Sequence, residues 1–307
     1  MRILIAYDGS SHANAAIDDL RRAGLPDKAE ALVVSVAHRG WPDVEDAKTK
    51  EGPFDSHWKA TMKQAESLAE HGRSRIQSMF GNWSVSSEAL WGDAAKMLLM
   101  TIDVWKPDLV VVGSHGRSVA ARVLLGSVSA ELVHRAPCSV RVVRGPAKAE
   151  VPLRILIATD GSEQADAVVD CVARRAWPDG TRARLFAVLE TLVPAVPELV
   201  PVLEGQTFAT EPAYRVIEAA DEKERLRLRW ATQGDAEHLQ KSGLCAEAVV
   251  AEGDPRREIN AEAELWQADC IFVGARGLGA LDRLLLGSVS GAVVSHAHCA
   301  VEIVRRG

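Results

Sequence analysis

Apolar β-branched runs alternate with longer amphipathic stretches along this chain, and the alternation comes round twice. In the first half, strand patterns fall at 2–7, 30–38, 83–91, 108–113 and 138–144, and helical periodicity at 11–23, 56–79, 94–105 and 127–135. The second half repeats the scheme, with strand patterns at 154–159, 182–190, 245–252, 269–274 and 299–304 and helices between them. Strands that alternate with helices of about ten residues or more predict an α/β protein with a parallel sheet, doubly wound (Rossmann-like) and covered by helices on both faces. Ser10, Asp93, Ser162 and Asp254 stand immediately before helical patterns as N-caps, and Pro255 occupies a first helical position. Residues 40–56 and 191–212 are rich in Pro, Gly and acidic side chains and read as loops near the site mouths.

The two halves also share strings of residues. Ile3-Leu-Ile-Ala-Tyr-Asp-Gly-Ser10 is answered by Ile155-Leu-Ile-Ala-Thr-Asp-Gly-Ser162, and Trp91-Gly-Asp93 by Glu252-Gly-Asp254. Ala136-Pro-Cys138 matches Ala297-His-Cys299, each opening a final strand. The chain is one domain written twice. Its expected bounds are 1–146 and 152–307, joined by a short proline-bounded linker that keeps the halves packed together.

A length of 307 residues agrees with two domains. With 47% hydrophobic and 25% charged residues, the composition is that of a soluble globular protein. No apolar run approaches the ~20 residues of a membrane span, and the start lacks the features of a signal peptide, so a cytoplasmic location is expected. The net charge of -6 and the dispersed Lys and Arg weigh against nucleic acid or an anionic membrane as partner. Five cysteines are scattered without a C-x-x-C and read as reduced core residues.

The chemistry-bearing feature is a glycine pattern, G-x-x-G-x9-G-S. It comprises Gly113, Gly116, Gly126 and Ser127, and again Gly274, Gly277, Gly287 and Ser288. Each copy follows a strand pattern and opens a helix. Glycine lets a backbone approach a dense anion closely, and the free N–H groups and positive dipole end of a helix start favour phosphate. Ser127, Ser129, Ser288 and Ser290 are candidate hydroxyl donors on the first helical turns. A single G-x-x-G more often marks an ordinary tight turn; two copies of four matched positions in the same context point to two nucleotide phosphate loops. Neither a Walker A string nor a G-x-G-x-x-G fingerprint occurs.

These strings resemble the universal stress protein family in its tandem two-domain form, over nearly the whole chain. The resemblance implies ATP as ligand, a strand order of 3-2-1-4-5 in each half, and nucleotide between the ends of strands 1 and 4. That is also where open α/β sheets place ligands. Carried over by position, Ala6, Asp8 and Val36, with their counterparts Ala158, Asp160 and Val188, flank adenine and ribose, and Val128 and Val289 lie within the Gly-Ser-Val-Ser strings. Asp8 has a second reading, as an Asx cap of the turn that starts the helix. Arg117 and Arg276 stand in the glycine loops at non-equivalent positions, where each could reach phosphate or remain a surface residue.

His115 occupies the place of Arg276 in the other copy, so it reads as a solvated loop residue rather than a catalytic imidazole. His296-Ala-His298-Cys299 has no matching ligand set in the first half and is not read as a metal site. Trp105 and Trp266 take equivalent places before the fourth strands, with packing roles. No residue is assigned to catalysis, because no general base is evident.

The leading reading is therefore an ATP-binding stress-response regulator with one site per half, Mg2+ entering only through the phosphates, and hydrolysis slow at most. A slow ATPase or phosphotransferase is the alternative, an adenylate-forming enzyme a third, and a scaffold with empty sites the plainest rival. If the order 3-2-1-4-5 holds, residues 140–143 and 301–304 are sheet edges that should pair antiparallel, making one chain an internal pseudo-dimer. Neither a protein partner nor further homodimerisation is fixed by the sequence.

Overall fold

The computed structural model describes residues 1–37, 53–116, 125–146, 152–190, 211–275 and 286–305, with side chains undescribed at 53–57 and 211–217. In the first half the strands are β1 (Arg2–Ala6), β2 (Glu30–Ala37), β3 (Ser84–Trp91), β4 (Leu109–Gly113) and β5 (Ser139–Val143). The helices between them are α1 (Ser11–Asp19), α2 (Pro53–Met79), α3 (Ala94–Trp105) and α4 (Ser127–Arg135). The second half has β6 (Arg154–Thr159), β7 (Arg182–Leu189), β8 (Cys245–Glu252), β9 (Cys270–Gly274) and β10 (Ala300–Val304), with α5 (Glu163–Ala173), α6 (Glu211–Lys241), α7 (Pro255–Leu265) and α8 (Ser288–His296).

All ten strands form one sheet in the order β3-β2-β1-β4-β5-β10-β9-β6-β7-β8. Each half thus has the order 3-2-1-4-5 with parallel pairing throughout, and the strand order reverses between β1 and β4 and between β6 and β9. Among the described residues the single antiparallel pair is the seam, where Val301 faces Val142, Glu302 faces Arg141 and Ile303 faces Val140. Both edges expected from the order that the family resemblance implied are paired there, which removes two exposed ladders.

The strand cores carry Ile, Leu and Val on both faces because helices cover both sides. α1, α2, α5 and α6 pack on one face and α3, α4, α7 and α8 on the other; both apolar layers run through the two halves. Across the seam the Trp177 indole lies on Gly24, which has φ +61 and where a Cβ would sit 2.8 Å from the ring. Trp105 and Trp266 pack as expected, beneath the Arg2 and Arg184 guanidiniums at 4.3 and 4.5 Å.

The four expected caps are present: the side chains of Ser10, Asp93, Ser162 and Asp254 accept from Ala13, Lys96, Ala165 and Arg256 backbone N–H groups. Two expectations need correction. α2 starts at Pro53 and α6 at Glu211, so the ends of the two expected loops are helical, as suits a proline in a first turn. The rest of both stretches lies outside the described residues. Cys270 and Cys299 are buried, but Cys245 is exposed where it opens the edge strand β8, so not all five cysteines are core residues.

Candidate nucleotide site

The site elements meet at the carboxyl ends of β1 and β4. β1 ends at Ala6, and the chain turns through Asp8, Gly9 (φ 76) and Ser10 into α1. One carboxylate oxygen of Asp8 accepts the Ser10 N–H at 2.9 Å, so the Asx-cap reading of this residue holds. Its other oxygen points at the glycine loop, where a Cβ on Gly116 would lie 2.9 Å from it. The turn and the loop are thus in contact: the Ser10 hydroxyl also reaches the His115 carbonyl at 3.5 Å. Ala6, Val36 and Val128 belong to the apolar layer on the α3–α4 face and give the crevice an apolar wall.

The loop is held by its own backbone. The Ser114 N–H donates to Val143 O at 2.8 Å, and the Gly126 N–H returns to Ser114 O at 2.8 Å, closing the ends of the loop upon each other. Gly126 then caps α4 in an extended conformation and, as a glycine, offers no side chain of its own to the first N–H groups of that helix. Ser127, at the first position of α4, is exposed. The second half repeats these features. The Ala275 N–H donates to Val304 O at 3.0 Å, Gly287 returns to Ala275 O at 2.8 Å, and Gly287 caps α8 ahead of an exposed Ser288. One Asp160 oxygen accepts the Ser162 N–H at 3.1 Å, and the Arg227 guanidinium holds the Asp160 and Gly161 carbonyls from α6. Ala158, Val188 and Val289 pack as their counterparts do.

Three expected roles change. Gly113 makes room for α1 rather than for a ligand, since a Cβ there would meet the His12 carbonyl carbon at 2.7 Å. Ser129 is buried, and its hydroxyl donates to the Ser114 and Gly126 carbonyls, both at 3.0 Å. Ser290 does the same to Gly274 O at 2.6 Å. A buried hydroxyl must satisfy its donor, so both serines shape the loop from within. His115 is half-buried: its ring lies 5.2 Å from that of His12 and its Nδ1 is 3.1 Å from the Ser114 hydroxyl. Sequence reasoning passed over His12, whose one signal was its place two residues after the Asp-Gly-Ser cap. Arg117, Arg276 and Gly277 lie outside the described residues.

The rims differ. At the end of β3 the Trp91 ring meets Trp58 edge-on at 6.2 Å, whereas at the end of β8 Glu252 pairs with Arg225 at 2.6 Å. The matched Gly92 and Gly253 both hold positive φ, 143 and 140, so the turn is conserved between the halves while its flanking chemistry is not. His296 is exposed, with its Nδ1 2.9 Å from the Ala292 carbonyl. Among the described residues no helix is long and apolar enough to cross a membrane.

The fold and site together define a tandem doubly wound α/β protein with a glycine loop at the switch point of each half. The chain belongs to the universal stress protein family, whose model matches residues 1–144 and 153–305. It is similar to a universal stress protein of Mycobacterium tuberculosis, with 26% identity over 99% of this chain and 97% of that one. A universal stress protein of Thermus aquaticus is 35% identical over 46% of this chain and 97% of its own length. Among solved structures, a universal stress protein from Archaeoglobus fulgidus covers 100% of this chain and 96% of its own with a TM-score of 0.61; at 19% identity this likeness speaks to the fold alone.

Proposed function

We propose that each half, 1–146 and 152–307, binds one adenine nucleotide, ATP by preference, and that the chain acts as a nucleotide-dependent regulator of the stress response rather than as a fast enzyme. The observation that carries this reading is the approach of Asp8 to Gly116: a carboxylate oxygen lies 2.9 Å from where a Cβ on that glycine would stand, at the switch point. In the first half, Asp8 would hold ribose hydroxyls, and Ala6, Val36 and Val128 would border the base. Gly116, Arg117, Gly126 and Ser127 would take the phosphates, with Gly113 and Ser129 supporting the loop. Asp160, Ala158, Val188 and Val289, with Gly274, Gly277, Gly287, Ser288 and Ser290, form the second set. Mg2+ would be held through phosphate oxygens, as this small hard cation commonly is.

A triphosphate reading is supported by the helix N-termini and loop N–H groups, which supply fixed positive dipole beside whatever charge Arg117 adds. Hydrolysis needs a group aimed at an attacking water. The carboxylate nearest the loop, Asp8, already has one oxygen on the Ser10 N–H. Asp8→Ala and Asp160→Ala should each weaken binding at their own site by about 1.5–3 kcal/mol, the loss of a charge-assisted hydrogen bond. Turnover per bound nucleotide should stay slow and nearly unchanged. Rapid turnover by the wild type, abolished in the double variant with ATP still bound, would favour the phosphotransferase or ATPase reading instead.

A further inference from the structure

We propose that the first site takes up a proton together with its phosphate ligand through the His12–His115 pair, and that the second site does not. This rests on the nucleotide reading above and adds a regulation to one of its two sites. His12 is the second residue of α1, and its main chain fills the space above Gly113. Its ring stands 5.2 Å from that of His115, which lies inside the loop between Gly113 and Gly116. His115 also lies against Gly126, where a Cβ would sit 3.3 Å from the His115 Cα, so the two imidazoles adjoin the helix start that the nucleotide reading gives to phosphate.

Among the described residues, the charged and titratable groups acting on His12 are His115 from the loop, Asp8 from the end of β1 and Arg144 from the end of β5. Burial, the neighbouring imidazole and Arg144 push the His12 pKa below its usual value, while Asp8 acts in the opposite sense. The Arg144 guanidinium is directed to the Val294 and Ser295 carbonyls, at 2.6 and 2.9 Å, at the end of α8. A phosphate dianion beside His12 would favour its protonated form. The second half has Gln164 and Arg276 at the matching sequence positions, and neither changes charge near neutral pH.

The sign follows from linkage. The bound form holds more protons than the free form, so affinity at the first site is highest at low pH. It falls as pH rises between the free and bound pKa values, by up to about tenfold per pH unit for one proton, and flattens above. The second site shows only the ligand's own protonation.

The test is calorimetry of the full chain with Mg-ATP, from pH 6 to 8, in buffers of different ionisation enthalpy, comparing the wild type with His12→Gln and His115→Gln. Because the ligand is common to all three, its own proton changes cancel in the difference. Excess proton uptake by the wild type at one of two sites, lost in His12→Gln along with several-fold affinity at pH 6, is the expected result. The His12 ring resonances followed by NMR should show a pKa that rises by about one unit or more when Mg-ATP is added, a readout independent of either variant. Equal proton uptake in wild type and His12→Gln, with an unmoved His12 pKa in nucleotide-saturated protein, overturns the proposal and leaves the nucleotide reading intact. Absence of nucleotide binding at every pH removes the nucleotide reading itself.

Discussion

Over the first strand of each half, the two copies meet the same packing problem with different charges. In the first half Tyr7 donates its hydroxyl to Asn14 at 2.9 Å, and Arg75 from α2 bridges Asn14 and Asp18 on α1. The matching strand residue in the second half is Thr159, and the helix pair above it presents Asp166, Asp170 and Asp235, with His238 set 3.3 Å from Asp170. Burial, then the Asp166 charge, push the Asp235 carboxyl up to about 6. A neutral amide held by a cation has thus been exchanged for crowded carboxylates, among which Asp235 titrates upward of its usual range.

The seam shows the same divergence with a different outcome. Arg141 and Glu302 face each other across the antiparallel pair and are fully buried. Arg141 also bonds Asp19 at 2.6 Å, and Glu302 is gripped by Arg175. Burial works against the Arg141 charge, yet Asp19, Cys270 and Glu302 hold its pKa above the usual value. Two copies of the first half joined by this edge would oppose Arg to Arg, and two copies of the second Glu to Glu. Divergence between the halves has made the seam specific for one half against the other.

The largest expected effect follows from that seam. Arg141→Met leaves Asp19 and Glu302 buried with an incomplete set of partners, and urea denaturation should report a loss of about 3–5 kcal/mol. A loss under ~1 kcal/mol would mean that the network contributes little to joining the halves. Next comes the first glycine loop, where Gly113→Ala drives a Cβ into the α1 backbone and should cost about 1–3 kcal/mol of stability by overpacking. At Gly116 the same change meets, among the described residues, the Asp8 side chain and no backbone, so stability should survive while ATP affinity at that site drops. Equal stability losses at the two glycines would erase the distinction between packing and binding roles.

The smallest effect separates the helix pairs. A carboxyl whose pKa is raised on folding contributes its full stability below the unfolded value near 4 and loses it as pH rises through about 6. Asp235→Asn should therefore stabilise the protein at pH 8, by about 1 kcal/mol once solvent screening at a half-exposed site is allowed for, and add nothing at pH 4. A gain that is the same at both pH values would deny the crowding.

Much of this architecture was legible in the chain. Strand patterns located the ten strands described, the caps at Ser10, Asp93, Ser162 and Asp254 located four helix starts, and the strand order implied by the family resemblance left the two matched edges that form the seam. What stayed hidden depends on residues far apart in sequence. His12 and His115 meet only because α1 lies across the end of β4, and Arg141 reaches Asp19 and Glu302 only through the sheet order. The packing role of Gly113 was hidden because a glycine that admits a helix and one that admits a phosphate have the same sequence signal.

Two working nucleotide sites are the central prediction, and calorimetric titration of the full chain with Mg-ATP tests it most directly. Two nucleotides per chain should bind, falling to one in Gly116→Val and to one in Gly277→Val, because a β-branched side chain fills the phosphate space. Saturation at two nucleotides in either variant, or no binding by the wild-type chain, would contradict the assignment of the glycine loops.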